Sequence, residues 1–150
     1  MLFRSLELEG IGYHPATAAA PVLQDVSLRL ERGEPGLVAG RSGSGKSTLL
    51  DIIAGLARQD RGRILWQGQA TTPRERRWLC GLVFQFPERH FLGLSVGQEL
   101  RIGHRRLPTE RLQGALERVG LGQVPLQQPP EQLSGGQQRR LALAVQLLRD

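Results

Sequence analysis

Apolar and polar residues alternate clearly at Val26, Leu28 and Leu30 and more weakly from Leu2 to Leu8, and period-two spacing of this kind predicts half-buried strands. Leu37-Val38-Ala39 and the run Leu79 to Phe84 (LCGLVF) read as two more strands. Ile64-Leu65-Trp66 reads as a short one between turns at Gln59–Gly62 and Gln67-Gly68. Elsewhere the period becomes helical. A helix is predicted from Thr48 to Leu56 (TLLDIIAGL), and Ser95 with Gln98 forms a capping-box pattern for a short one reaching about Ile102. Leu112, Ala115, Leu116 and Val119 recur at helical spacing after Thr109 and stop at Gly120. Leu141, Ala144, Val145 and Leu148 do the same after Ser134. Gln123 to Pro130 (QVPLQQPP) is too rich in proline for either regular state and reads as an exposed connection.

The totals narrow the picture. The chain's 150 residues suffice for one domain with a buried core, and 39% hydrophobic with 23% charged residues is ordinary for a soluble protein. No apolar run approaches the ~20 residues of a membrane span, and the N-terminus has no signal-peptide core, so the sequence reads as cytoplasmic and any membrane role needs a partner. The single cysteine, Cys80, excludes an internal disulfide and a cysteine metal cluster, and its apolar neighbours predict a buried, inert thiol. Net charge is +6, yet most arginines are dispersed, with short clusters such as Arg74-Glu75-Arg76-Arg77 and Arg105-Arg106. Aromatics make up only 5% and do not interleave with them, so the reading is a solvated basic face with no nucleic-acid partner.

Chemistry enters at Gly40-Arg41-Ser42-Gly43-Ser44-Gly45-Lys46-Ser47-Thr48, which matches the phosphate-binding loop pattern at every required position. Glycines at 40, 43 and 45 let successive backbone N–H groups turn inward as an anion nest. Lys46 adds a point charge at the terminal phosphates, Ser47 offers a hydroxyl to Mg²⁺, and the helix that follows presents its positive end. Lys46 is the only lysine among 20 basic residues. A compact ammonium fits between phosphate oxygens where a planar guanidinium does not.

Leu133-Ser134-Gly135-Gly136-Gln137 carries two readings at once. Ser134 and Gln137 form a capping box for the last helix. Adjacent glycines in a first turn cost about 1–2 kcal/mol, and a second anion site approaching the backbone at this helix N-terminus would account for Gly135-Gly136.

GRSGSGKST at 40–48, Gln85 after an apolar strand and LSGGQ at 133–137, in that order, resemble the nucleotide-binding domain of ATP-binding cassette (ABC) proteins. The run Gly81-Leu82-Val83-Phe84-Gln85-Phe86-Pro87-Glu88, with Val96, Glu99, Leu100 and Gly103, is similar to the ATPase subunits of energy-coupling factor and cobalt-type importers. The resemblance implies an α/β P-loop NTPase fold of ABC type: a RecA-like core, an antiparallel β subdomain and a helical subdomain, without the C-terminal core strands. It implies an ATP-binding core and β subdomain over 1–84, a Q-loop and helical subdomain over 85–136, and the helix after the signature over 137–150. ATP and Mg²⁺ are the implied cofactors. Tyr13 would stack on adenine, with packing on the core as its bland alternative, and residues 40–48 would hold the phosphates. Ser47 and Gln85 would serve the metal, and Lys46 and Gln85 the chemistry. Ser134, Gly135, Gly136 and Gln137 would close over ATP held by a second ATPase subunit, head to tail. The loop opened by Gln85 would touch an integral membrane transporter subunit, placing the protein on the inner face of the plasma membrane and giving import of a vitamin or metal ion.

The resemblance also implies a strand after LSGGQ bearing a metal-associated aspartate and a catalytic glutamate, then a switch histidine. Within the 150 residues no acidic pair follows an apolar strand after LSGGQ, and His14, His90, His104 and Glu131 all precede Ser134. The chain is therefore expected to be a fragment of a longer ATPase that turns ATP over poorly by itself, with the stripe Leu141 to Leu148 left partly uncovered. A soluble ABC ATPase acting on nucleic acid or ribosomes is the alternative, supported only by charge; a P-loop kinase is disfavoured by LSGGQ.

Overall fold

In a computed structural model the described residues are 5–149, and the chain divides into two compact units, one ending at Cys80 and the next starting at Gly81. The first unit is built on an antiparallel sheet of order β2-β1-β3-β4, from β1 (Leu6–Tyr13), β2 (Leu23–Leu30), β3 (Arg61–Trp66) and β4 (Gln69–Ala70). Alternation puts Leu8 and Ile11 of β1 and Ile64 of β3 into the core, where Leu49 and Ile52 of helix α1 (Lys46–Ile53) join them. The opposite face pairs Arg29 with Glu7 and Glu31, and Arg63 with Glu9. β3 and β4 are joined through Gln67 (φ 55) and Gly68 (φ 77), two successive left-handed residues whose twist suits a tight hairpin.

The first strand differs from its predicted span. It runs from Leu6 to Tyr13, and residues 2–4 of the expected Leu2–Leu8 strand lie outside the described residues. Alternation broke down at Gly10, where β1 changes register between Leu8 and Ile11. The expected strand at Leu37–Ala39 does not form, nor does the one at Leu79–Phe84. Ladders need a hydrogen-bonding neighbour, and no strand pairs with either segment among the described residues. Leu79 instead ends an unpredicted helix, α2 (Pro73–Leu79), started by Thr72. Thr72 Oγ1 accepts from Glu75 N–H and the Glu75 carboxylate accepts from Thr72 N–H. Those bonds to Thr72, backbone first, hold the Glu75 carboxyl below its ordinary pKa.

The second unit is helical. Helices α3 (Val96–Arg101), α4 (Thr109–Arg118) and α5 (Gly135–Leu147) enclose Val96, Leu100, Leu112, Leu116 and Leu141. The stripe expected to lie partly uncovered is largely covered: Leu141, Ala144 and Leu148 are buried in this cluster, and Val145 is half-buried against it. As expected, 123–129 forms neither helix nor strand, but the stretch is not simply exposed. Val124 and Leu126 pack on the core, Pro130 is buried, and the carbonyls of Leu126 and Gln128 accept the first N–H groups of α3. Ser95 caps α3 as expected, but Gln98 reaches back to Leu94 N–H, one residue before the cap.

Candidate functional site

The phosphate loop leads directly into α1. Gly43 (φ 80) and Gly45 (φ 86) occupy the left-handed region, which permits the sharp reversal at the helix start. Close approach also demands glycine: a Cβ at Gly40 would meet Ser44 Oγ at 2.7 Å, and one at Gly45 would meet Leu23 Cδ2 at 2.9 Å. No side chain caps α1, and its first turn carries no acidic residue. Its leading N–H groups are thus left for an external anion, favoured also by the helix dipole. Lys46 Nζ donates to the carbonyls of Gly40 (2.9 Å) and Arg41 (2.7 Å), with Ser44 Oγ at 3.5 Å. The ammonium is thereby folded over the loop that its neighbours shape. The helix begins at Lys46, two residues before its predicted start, and ends at Ile53, with Gly55 (φ 74) turning the chain away.

Tyr13 ends β1 and belongs to the same neighbourhood. Its carbonyl accepts Val22 N–H, its ladder partner is Leu23, and both Val22 and Leu23 touch the position of Gly45. The ring is half-buried and packs partly on the sheet core, so the packing alternative holds for part of its surface. Beside it lies a groove of about 550 Å³, lined by Tyr13, His14, Asp25, Asp60 and Arg61 among others.

Gln85 and the Ser134–Gln137 turn lie in the second unit, on different elements. Gln85 is exposed in an irregular segment pinned on either side: Phe84 packs on His90 with ring centroids 4.6 Å apart, and the Arg89 guanidinium lies 4.9 Å over the Phe86 ring. Ser134 and Gln137 form the full capping box, Ser134 Oγ accepting from Gln137 N–H and Gln137 Oε1 from Ser134 N–H. A Cβ at Gly135 or Gly136 would meet nothing within 4 Å, and neither has a positive φ. Nothing within the chain therefore requires glycine at these two places.

The ABC transporter family matches residues 23–150. The chain belongs to the ABC transporter family. Its similarity to ABC transporter I family member 11, chloroplastic, of Arabidopsis thaliana is 37% identity over 97% of this chain and 58% of that protein. Identity to the energy-coupling factor transporter ATP-binding protein EcfA1 of Halalkalibacterium halodurans is 36%, over 94% of this chain and 54% of that one. Among solved structures, cbiO1 from Clostridium perfringens, part of the ABC transporter complex cbiONQ, superposes with a TM-score of 0.85 at 29% identity, covering 98% of this chain and 62% of that one. A bacterial Atm1-family ABC exporter with ATP bound superposes at 0.80 with 22% identity, covering 99% of this chain and 28% of that one, which shows the shared fold alone. The chain spans between 54% and 58% of the length of these curated relatives.

Two features of this ABC chain escaped the sequence reading. Arg76 looked like part of a solvated basic cluster, yet it is 1% exposed, and burial pushes its pKa down. Thr72 with Glu75 was a legible capping-box signal for the helix that carries it. Cys80, expected to be buried, is half-buried, and its Sγ lies 3.6 Å from the carbonyl oxygen of Ile53. Among the described residues no cluster of three or more His, Cys, Asp or Glu could hold a metal ion, and no helix is long and apolar enough to cross a membrane.

Proposed function

We propose that this chain is the nucleotide-binding part of an ABC ATPase subunit that powers a membrane importer of the energy-coupling factor type. What carries the reading is the phosphate loop: left-handed Gly43 and Gly45, an uncapped and acid-free first turn of α1, and one compact ammonium folded over it. ATP supplies a triphosphate, with Mg²⁺ completing its coordination by phosphate oxygens and water. The donor set fits that substrate and not a free cation, because Ser47 gives a single neutral hydroxyl and no metal-holding cluster lies among the described residues. In this reading the N–H groups from Gly43 to Ser47 bind the phosphates, Lys46 exchanges its carbonyl partners for phosphate oxygens, and Tyr13 takes the base. Gln85 orients the water and metal.

Ser134 to Gln137 serve a second subunit. The bare first turn of α5, where a Cβ would meet nothing of its own chain, leaves room for a phosphate group presented head to tail by a partner ATPase. A ligand gripped from both sides favours the closed pair over the open one, and losing its terminal phosphate releases the pair. The exposed segment around Gln85 would pass that motion to a membrane subunit, with the ATPase held on the inner face of the plasma membrane. The similarity to energy-coupling factor ATP-binding proteins favours this over a nucleic-acid role.

Titration of the chain with a fluorescent ATP analogue and Mg²⁺ tests the reading. Saturable binding, abolished in Lys46→Ala, is expected. Absence of binding, or binding indifferent to that substitution, refutes it.

A further inference from the structure

The buried Arg76 stands apart from every role assigned above. Its hydrogen-bond partners are all neutral: Nε donates to the carbonyl of Ile52 (3.1 Å), Nη1 to the carbonyl of Thr71 (2.8 Å) and more distantly its hydroxyl (3.5 Å), and Nη2 to Gln59 Oε1 (3.2 Å). With no carboxylate bonded to it among the described residues, a buried guanidinium is a costly way to fill a core, and an apolar side chain of similar volume would fill it at less cost. The acceptors it selects show what it holds. Ile52 is in the last turn of α1, Gln59 follows in the connection to β3, and Thr71 lies between β4 and α2. The fork thus ties the C-terminal end of α1 to the α1–β3 connection and to the segment between β4 and α2.

Two neighbouring contacts tighten the same joint. A Cβ at Gly55 would fall 2.1 Å from the carbonyl oxygen of Pro73, so only glycine lets α2 approach α1 this closely. Cys80 Sγ reaches the carbonyl of Ile53. A helix of eight residues, Lys46–Ile53, has little length over which to absorb displacement. A shift at its last turn is carried to Lys46 at the first. The negative end of the helix dipole also faces the buried cation, while the positive end faces the phosphate loop.

We propose that Arg76 is a positioning residue for nucleotide binding: by clamping the end of α1, it sets where the amides from Gly43 to Ser47 and the Lys46 ammonium stand relative to a triphosphate. The inference rests on the phosphate-loop reading above. It predicts an effect confined to phosphate recognition. Tyr13, at the end of β1, is not among the clamp's hydrogen-bond partners.

The test compares Arg76→Met, which removes charge and donors, with Arg76→Lys, which restores the charge. Binding of the fluorescent ATP analogue with Mg²⁺ is measured alongside a fluorescent adenosine lacking phosphates. Arg76→Met should weaken the triphosphate about tenfold or more, since small misplacements of binding groups act at this scale. It should leave adenosine binding unchanged, and Arg76→Lys should recover part of the loss. Should Arg76→Met not fold, Gln59→Leu, which removes one acceptor only, should weaken the triphosphate about two- to fivefold. Unchanged triphosphate affinity in the folded variant, or equal loss for both ligands, overturns the assignment. Failure of the wild type itself to bind the triphosphate removes the phosphate-loop reading, and this inference with it.

Discussion

Lys46 Nζ lies 2.7 Å from the carbonyl oxygen of Arg41, five residues earlier in the loop that the lysine closes. The bond is exposed, so its net contribution to folding is small, and its importance lies in keeping the ammonium over the loop. Lys46→Ala should therefore change stability by no more than about 0.5 kcal/mol while abolishing nucleotide binding. Calorimetric titration together with thermal unfolding separates the two effects. Lys46→Arg should bind poorly as well, because the planar fork cannot take the place of a compact charge.

Gly45→Ala combines two penalties. The φ of 86° is strained for any side chain, and the new methyl would sit 2.9 Å from Leu23 Cδ2 and 3.0 Å from the Val22 carbonyl. A loss of about 1–3 kcal/mol is expected, measured by urea unfolding, with weakened nucleotide binding in whatever folds.

Gly136→Ala should behave in the opposite way. The position is helical, its φ is not positive, and the added methyl meets nothing, so stability should rise by up to about 1 kcal/mol. If the proposed trans role holds, formation of an ATP-dependent pair should nevertheless fail, as read by size-exclusion chromatography with a hydrolysis-resistant nucleotide. Retained pairing would count against the trans role of the turn. Ser134→Ala removes a cap and should cost about 1 kcal/mol, while nucleotide binding by the single chain stays unchanged; a loss as large as that in Lys46→Ala would contradict this assignment.

The Thr72–Glu75 box makes α2 sensitive to acid. Because the folded-state pKa of Glu75 is depressed, its contribution is fully present above the ordinary value of 4.5 and is lost as pH falls through the lower folded value. The melting-temperature difference between wild type and Glu75→Gln should be constant near neutrality and shrink once pH drops below about 4.5.

The loops were more legible in the sequence than the strands. Residues 40–48 and 133–137 declare themselves because a glycine nest and a capping box are local, set by the conformational freedom and hydrogen-bonding reach of a few neighbours. Leu37–Ala39 and Leu79–Phe84 were misread because an apolar run states only that a segment can be a strand, whereas a ladder depends on a second segment. Arg76 was invisible for a related reason. An arginine next to Arg77 gives no local hint that Ile52, Gln59 and Thr71, which lie 24, 17 and 5 residues earlier, supply its acceptors.

If the trans role proposed for the bare turn at Gly135-Gly136 holds, it governs how ATP hydrolysis should respond to dilution. If half of each reaction chamber comes from a neighbouring molecule, specific activity cannot be a fixed property of one polypeptide. At low concentration the hydrolysis rate of such an enzyme should climb with the square of the amount added and become linear only once pairs predominate.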